Sequence, residues 1–369
     1  MRELFLLDPD VVYLNHGSFG ACPRPVFESY RAWQRELELE PVRFMTRLPD
    51  LLEAARAELG AFVGAPPDDL TFVPNATTGV NLAARALGLQ PGDEVLTTNL
   101  EYGACDLTWQ RVCSLAGAHY VRADVESLFD HLGENTRAVF LSHITSETAL
   151  LLPVEEIIGR ARSEGLTTIV DGAHSVAQVD LDLEALGADF FSGNCHKWLC
   201  APKGAGFLYV RPEWQERVDG AIVSWGYEEP ATFISRTSLQ GTRDPAAYLA
   251  VPDAIRFVRE HDDRERCVTL AREARRDLCA LLGTEPLGPD EQILQMASVR
   301  LPRADPELSQ RLFDEHRIEI PTMAGDELLR ISVASYTERE DVDRLLDALP
   351  RALKRGLEHG AHQGVGSDS

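Results

Sequence analysis

Short apolar runs alternate with amphipathic stretches through most of the chain. The runs are "DLTFVP", "DEVLTTN", "AHYVRAD", "TRAVFLSHI", "LTTIVDGAH", "ADFFSGN" and "GAGFLYV". Between several of them lie "TTGVNLAARALGL", "YGACDLTWQRVCSLAG" and "VEEIIGRARSEG", whose apolar residues recur at helical spacing. β-rich runs spaced by helices predict an α/β fold, a mainly parallel sheet covered on both faces. Ligands of such sheets collect at the carboxyl ends of the strands.

From about residue 246 the pattern changes to long charged helical stretches such as "AIRFVREHDDRERCVTLAREARRDLCALLG", then strand-like pieces, of which "QMASVRL" and "LLRISVASY" are the clearest. The chain therefore divides into an N-terminal arm (1–16), a large domain (17–245), a smaller α+β domain (246–355) and a polar, Gly-rich tail (356–369) expected to be disordered.

At 369 residues the chain is long enough for two domains. Its formal net charge of -23 argues against nucleic acid and anionic membrane as partners. No apolar stretch approaches the ~18 residues of a membrane span. The start, "MRELFLLDPDVVYLNHGSFG", reads poorly as a signal peptide, so the cytoplasm is the expected compartment. Seven cysteines without a C-x-x-C pair read as reduced thiols, and no metal site is expected.

Three stretches carry candidate chemistry. In "PNATTGVNLAARAL", Asn75, Thr77, Thr78 and Gly79 stand where a strand gives way to a helix, whose free N–H groups and hydroxyls suit either an ordinary cap or a phosphate. In "TTIVDGAHSVAQ", an apolar strand ends at Asp171, placed to hold a proton on a heterocyclic nitrogen or to cap a following helix, with His174 three residues on. In "FFSGNCHKWLC", Lys197 is one of only three lysines among 36 basic residues. Arginine stays protonated near neutrality, whereas a desolvated lysine amine attacks a carbonyl. The other two, Lys203 in a Gly-rich turn and Lys354 in a charged helix, read as solvated.

Phosphate cup, strand-end aspartate and lysine, in that order, resemble the class V aminotransferase family of pyridoxal 5'-phosphate (PLP) enzymes. Within it, "YLNHGSFGACPRPVFESYRAWQRELELEPVRFM" and "GNCHKWLCAPKGAGFLYV" look most like isopenicillin N epimerase and its relatives. The resemblance implies PLP fold type I, with a seven-stranded-type sheet in the large domain. It implies Lys197 as the Schiff-base lysine and Asp171 as the partner of the pyridine nitrogen. Thr77, Thr78, Ser192 and His196 correspond to phosphate contacts, with Asn194 assisting. Tyr102 falls where a ring stacks on the cofactor, and His174 and Ser146 where its phenolic oxygen is contacted. Asn15, His16 and Arg330 are implied on the substrate, Arg330 on its α-carboxylate, which suits a bidentate fork. The segment "QGTRDPAAY" implies a homodimer with shared sites, in which Thr242 reaches the partner's phosphate.

The fold alone does not choose a reaction. Desulfurases of this family carry a nucleophilic cysteine shortly before the carboxylate arginine, and "EHRIEIPTMAGDELLRIS" has none. The resemblance therefore favours epimerase chemistry at the α-carbon of an amino acid, with Tyr102, His16 and His143 as candidates for a second acid. A C–S lyase acting on a cysteine conjugate and an aminotransferase are the rivals, and a PLP-binding protein without turnover is a fourth reading.

Overall fold

The computed structural model describes residues 1–261 and 263–363. Its strands are β1 (Val12–Tyr13), β2 (Leu70–Val73), β3 (Glu94–Thr98), β4 (His119–Ala123), β5 (Thr136–Ser142), β6 (Thr167–Gly172), β7 (Phe190–Asn194) and β8 (Gly206–Val210). Four more complete the set, β9 (Met296–Arg300), β10 (Ile318–Glu319), β11 (Thr322–Met323) and β12 (Leu328–Ser332). The chain groups into two compact units, one of Cys22–Ser146 and Leu152–His261, the other of Met1–Ala21, Glu147–Leu151 and Asp262–Ser369.

The first unit is built on a seven-stranded sheet of order β2-β8-β7-β6-β5-β3-β4. Its strands are the seven apolar runs read from the sequence. Pairing is parallel from β4 across to β7, while β8 is antiparallel to both β7 and β2. The central strands are buried along nearly their whole length, which is why they lack alternation; β4, at the edge, is only half covered. Phe140, Phe190, Phe191 and Phe207 project from them into full burial, each contributing about 1.5–3 kcal/mol.

The helices Ala76–Ala86, Gly103–Ala116 and Val154–Ser163 cross between strands. From β3 the chain goes first to β4 on one side and then to β5 on the other, so the winding reverses between β3 and β5. A sheet of this kind opens a crevice at that point, beyond the carboxyl ends.

The unit boundary falls after His261, not at 246 as the composition suggests. The helix Val251–Glu260 buries Val251, Ala254, Ile255 and Phe257 and packs with the helices Arg24–Leu39 and Pro41–Val63 of the sheet unit. A charged outer face had disguised an apolar inner one.

In the second unit, β11-β12-β9 form an antiparallel sheet and β1 pairs in parallel with β10. Helices Arg264–Leu282, Leu308–His316 and Arg339–Gln363 belong to it. Val12 and Leu14 of the N-terminal arm share its core with Leu278, Val299, Ile331 and Leu349. The expected disordered tail needs correction over 356–363, which continue the last helix. Extending an existing helix adds a hydrogen bond per residue without a new nucleus. The remainder of that tail, 364–369, lies outside the described residues.

Candidate active site

The cup forms where β2 runs into the helix Ala76–Ala86. Asn75 caps that helix, its Oδ1 accepting from the Thr78 amide at 2.9 Å and from Thr78 Oγ1 at 3.0 Å. Thr77 and Thr78 occupy the first turn, half-buried. The helix lies close over β7, since a Cβ on Gly79 would stand 2.0 Å from Ser192 Oγ. Ser192 is buried and donates to the carbonyls of Ala76 (2.9 Å) and Phe207 (3.2 Å). Its hydroxyl thereby ties helix to sheet beneath the cup, at the position where the resemblance implies a phosphate contact. Asn194 accepts the Ala76 amide at 2.8 Å through Oδ1, which turns its NH2 group into the side-chain donor of this strand. His196 meets the Ala205 carbonyl through Nδ1 at 2.9 Å, and burial lowers it to about 4.

Asp171 stands at the buried carboxyl end of β6. Its Oδ1 accepts the Ala173 amide at 2.9 Å and its Oδ2 the Cys105 thiol at 3.5 Å. Burial raises this carboxyl above the ordinary range, opposed by the Ala173 amide and the charge of Lys197. A cationic ring nitrogen placed against it would stabilise the carboxylate.

Lys197 Nζ lies 3.1 Å from His174 Nε2, and the Trp198 indole N–H donates to His174 Nδ1 at 3.3 Å. An indole nitrogen only donates, so Nδ1 is the acceptor, and Nε2 carries the proton and donates to Lys197 once that lysine is the free, uncharged amine. Gln178 also donates to the His174 carbonyl, at 2.7 Å. The sequence pointed to Lys197 and His174; Trp198 stood inside the quoted motif without a role.

Tyr102 is the N-cap of the helix Gly103–Ala116 and is 43% exposed. His143 is buried beyond β5 with no hydrogen-bond partner at Nδ1 among the described residues, and desolvation lowers it to about 4. Ser146 is half-buried, and Thr242 is exposed on the rim of a cavity of about 480 Å³ that Arg56, Arg243 and Tyr248 also line.

In the other unit, Arg330 is 1% exposed on β12 and donates through Nη2 to Ser18 Oγ at 2.9 Å. Ser18 donates in turn to Asn15 Oδ1 at 2.5 Å, and Asn15 Nδ2 reaches Glu319 at 3.4 Å. His16 Nδ1 meets the Tyr336 hydroxyl at 2.9 Å. Ser18 is the residue of this set that sequence reading passed over, although "NHGS" contains it.

A capped helix end pressed on the sheet, a buried carboxylate and a lysine amine are the donor set a phosphorylated pyridine aldehyde requires, and the residues fit it. Fold and site define a PLP-dependent enzyme of fold type I. The chain belongs to the class-V aminotransferase family, whose model matches residues 24–345. It is 37% identical to the isopenicillin N epimerase of Streptomyces clavuligerus over 94% of this chain and 96% of that one. It is 28% identical to a probable chloroplastic L-cysteine desulfhydrase of Arabidopsis thaliana, over 94% and 84%. Among solved structures, a C-DES mutant with glycine covalently linked to its PLP cofactor superposes with a TM-score of 0.86 at 24% identity, covering 95% of this chain and 98% of that one.

Proposed function

We propose that the protein acts at the α-carbon of an amino acid as an epimerase resembling the isopenicillin N enzymes. The observation that carries this reading is the Lys197–His174 pair, 3.1 Å apart, in the same unit as the buried Asp171 and the capped helix. When bound, PLP supplies an electron sink for the charge left at the α-carbon. Asp171 keeps a proton on the ring nitrogen, and Thr77, Thr78, Asn194 and His196 hold the phosphate. His196, with Nδ1 turned to a carbonyl, would take a proton at Nε2 to donate there. Lys197 carries the cofactor and then, as a free amine, removes the α-proton. Arg330 takes the substrate carboxylate, with Asn15 and His16 in supporting places. His143, neutral through burial, offers no imidazolium proton near neutrality, so Tyr102 is our candidate for the second acid.

A C–S lyase acting on a cysteine conjugate is the second reading, favoured by the likeness to the Arabidopsis desulfhydrase. The same lysine would remove the proton, and sulfur would leave from the β-carbon. Incubation with a panel of L-amino acids in deuterated water separates the two. Epimerisation gives α-deuterated D-product, whereas pyruvate with ammonia and no D-product overturns our reading.

We also infer a homodimer with shared sites. Val42, Val223 and Trp225 expose apolar surface in the sheet unit, and Thr242 is exposed, as reaching a partner's phosphate requires. Light scattering tests this. Among the described residues no helix is long and apolar enough to cross a membrane. We take the cytoplasm as the compartment, which fractionation tests.

A further inference from the structure

Glu101 is a buried acid that this chemistry leaves unused. Glu101 lies just past β3 in "NLEYGAC" and is 5% exposed. Its Oε1 accepts from Thr98 Oγ1 at 2.5 Å and its Oε2 from Ser142 Oγ at 2.6 Å. Thr98 ends β3 and Ser142 ends β5, so the carboxylate joins the two strands between which the winding reverses. Ser142 is the register partner of Asp171, and the His143 amide donates to the Asp171 carbonyl at 2.9 Å.

The hydrogen-bond roles suit an anion. Thr98 Oγ1 accepts the Leu100 amide at 3.1 Å, leaving its own hydrogen for Glu101, and Ser142 supplies another. Both carboxylate oxygens are therefore served by donors. Yet among the described residues no lysine, arginine or histidine pairs with Glu101.

The surroundings are acidic or neutral. Asp171 comes from β6 and Cys105 and Asp106 from the helix Gly103–Ala116; Tyr120, on β4, donates to Asp106 at 2.7 Å. The cations of the neighbourhood are engaged elsewhere, Arg122 with Asp106 at 3.4 Å and Lys197 through its charge on Asp171. Burial raises Glu101 to about 7, and Asp171 adds to the rise. Two buried carboxyls thus lie in each other's field, and a positive charge held at Asp171 would stabilise both.

We propose that Glu101 is a positioning residue for the cofactor ring, a second carboxylate that acts through Asp171 to strengthen its hold on the proton of the pyridine nitrogen. The inference rests on Asp171 being the partner of that nitrogen. Glu101 acts through its charge and its grip on Ser142, which set the field in which Asp171 works.

Nitrogen-15 NMR of holoenzyme loaded with PLP labelled at the ring nitrogen tests it. At about pH 8.5, E101Q is expected to lower the apparent ring-nitrogen pKa by about one unit and move the resonance toward the unprotonated position. Ser142→Ala moves it the same way, and Thr98→Ser, which keeps the hydroxyl, matches the parent. Near pH 5.5 all of these coincide, because the ring is protonated throughout. E101Q matching the parent at both pH values, or displaced equally at both, overturns the proposal. Should E101Q fail to fold, Ser142→Ala decides by the same two outcomes. D171N without effect on the resonance would instead remove the reading of Asp171.

Discussion

The indole of Trp198 donates to Nδ1 of His174 at 3.3 Å, which turns Nε2 of the imidazole to the neighbouring Lys197, 3.1 Å away. An acid–base partner is thereby oriented by the residue next to the lysine in sequence. Trp198→Phe keeps the packing but removes the donor, freeing His174 to adopt either tautomer. A hydrogen bond of this kind is worth about 1 kcal/mol, so kcat should fall roughly five- to tenfold. Steady-state kinetics check this, with cofactor content as the control.

Lys197→Ala should abolish covalent attachment. Borohydride reduction of the holoenzyme is expected to tag position 197 in the parent and nothing in the variant, read by peptide mass spectrometry. Losing the general base should lower turnover by about 10²–10⁴-fold.

Glu101 makes the cofactor-free protein sensitive to pH in a defined direction. Its carboxyl is raised by burial from 4.5 to about 7, so the folded state holds the proton more tightly than the unfolded chain. Stability from this group is complete below about pH 4.5 and is lost as pH rises through about 7. The full loss is on the order of 3 kcal/mol. E101Q lacks the titration, so the stability difference between parent and variant should change by about that amount between pH 4.5 and 8, with the parent losing ground. Urea unfolding of the cofactor-free proteins measures it.

Gly79→Ala would put a methyl group 2.0 Å from Ser192 Oγ and 2.9 Å from its Cβ. The helix Ala76–Ala86 must then lift from β7, at about 1–3 kcal/mol. Thermal unfolding should show the loss, and equilibrium dialysis a weaker hold on PLP. Ser192→Gly in the same chain should recover part of the stability.

Arg330 is buried with its guanidinium directed to Ser18. Arg330→Lys loses the planar fork that grips a carboxylate in two places, and KM for the amino acid should rise by about 10–100-fold with a smaller change in kcat. The expected dissociation constant for PLP is unchanged, since Arg330 belongs to the unit without the cofactor cup. Equal losses of substrate and cofactor binding would remove it from the carboxylate role.

The seven strands of the large sheet were legible in the residue pattern alone. An uninterrupted run such as "AVFLS" of β5 is stable only with both faces covered, and that requirement is local enough to read. Lys197 and Asp171 were candidates from the scarcity of lysine and from the strand-end position, and their roles came from the order of motifs that resembles the family. Features that depend on distant partners emerged only on folding. That Ser192 ties helix to sheet was not legible, because the Ala76 and Phe207 carbonyls come within reach of its hydroxyl only in the fold. The helix Val251–Glu260 joined the sheet unit because its apolar face met two helices some two hundred residues upstream. Glu101 was visible as an acid shortly after a strand in "NLEYGAC", but its burial against Ser142, 41 residues away, arises only when the reversal of winding lays β3 beside β5.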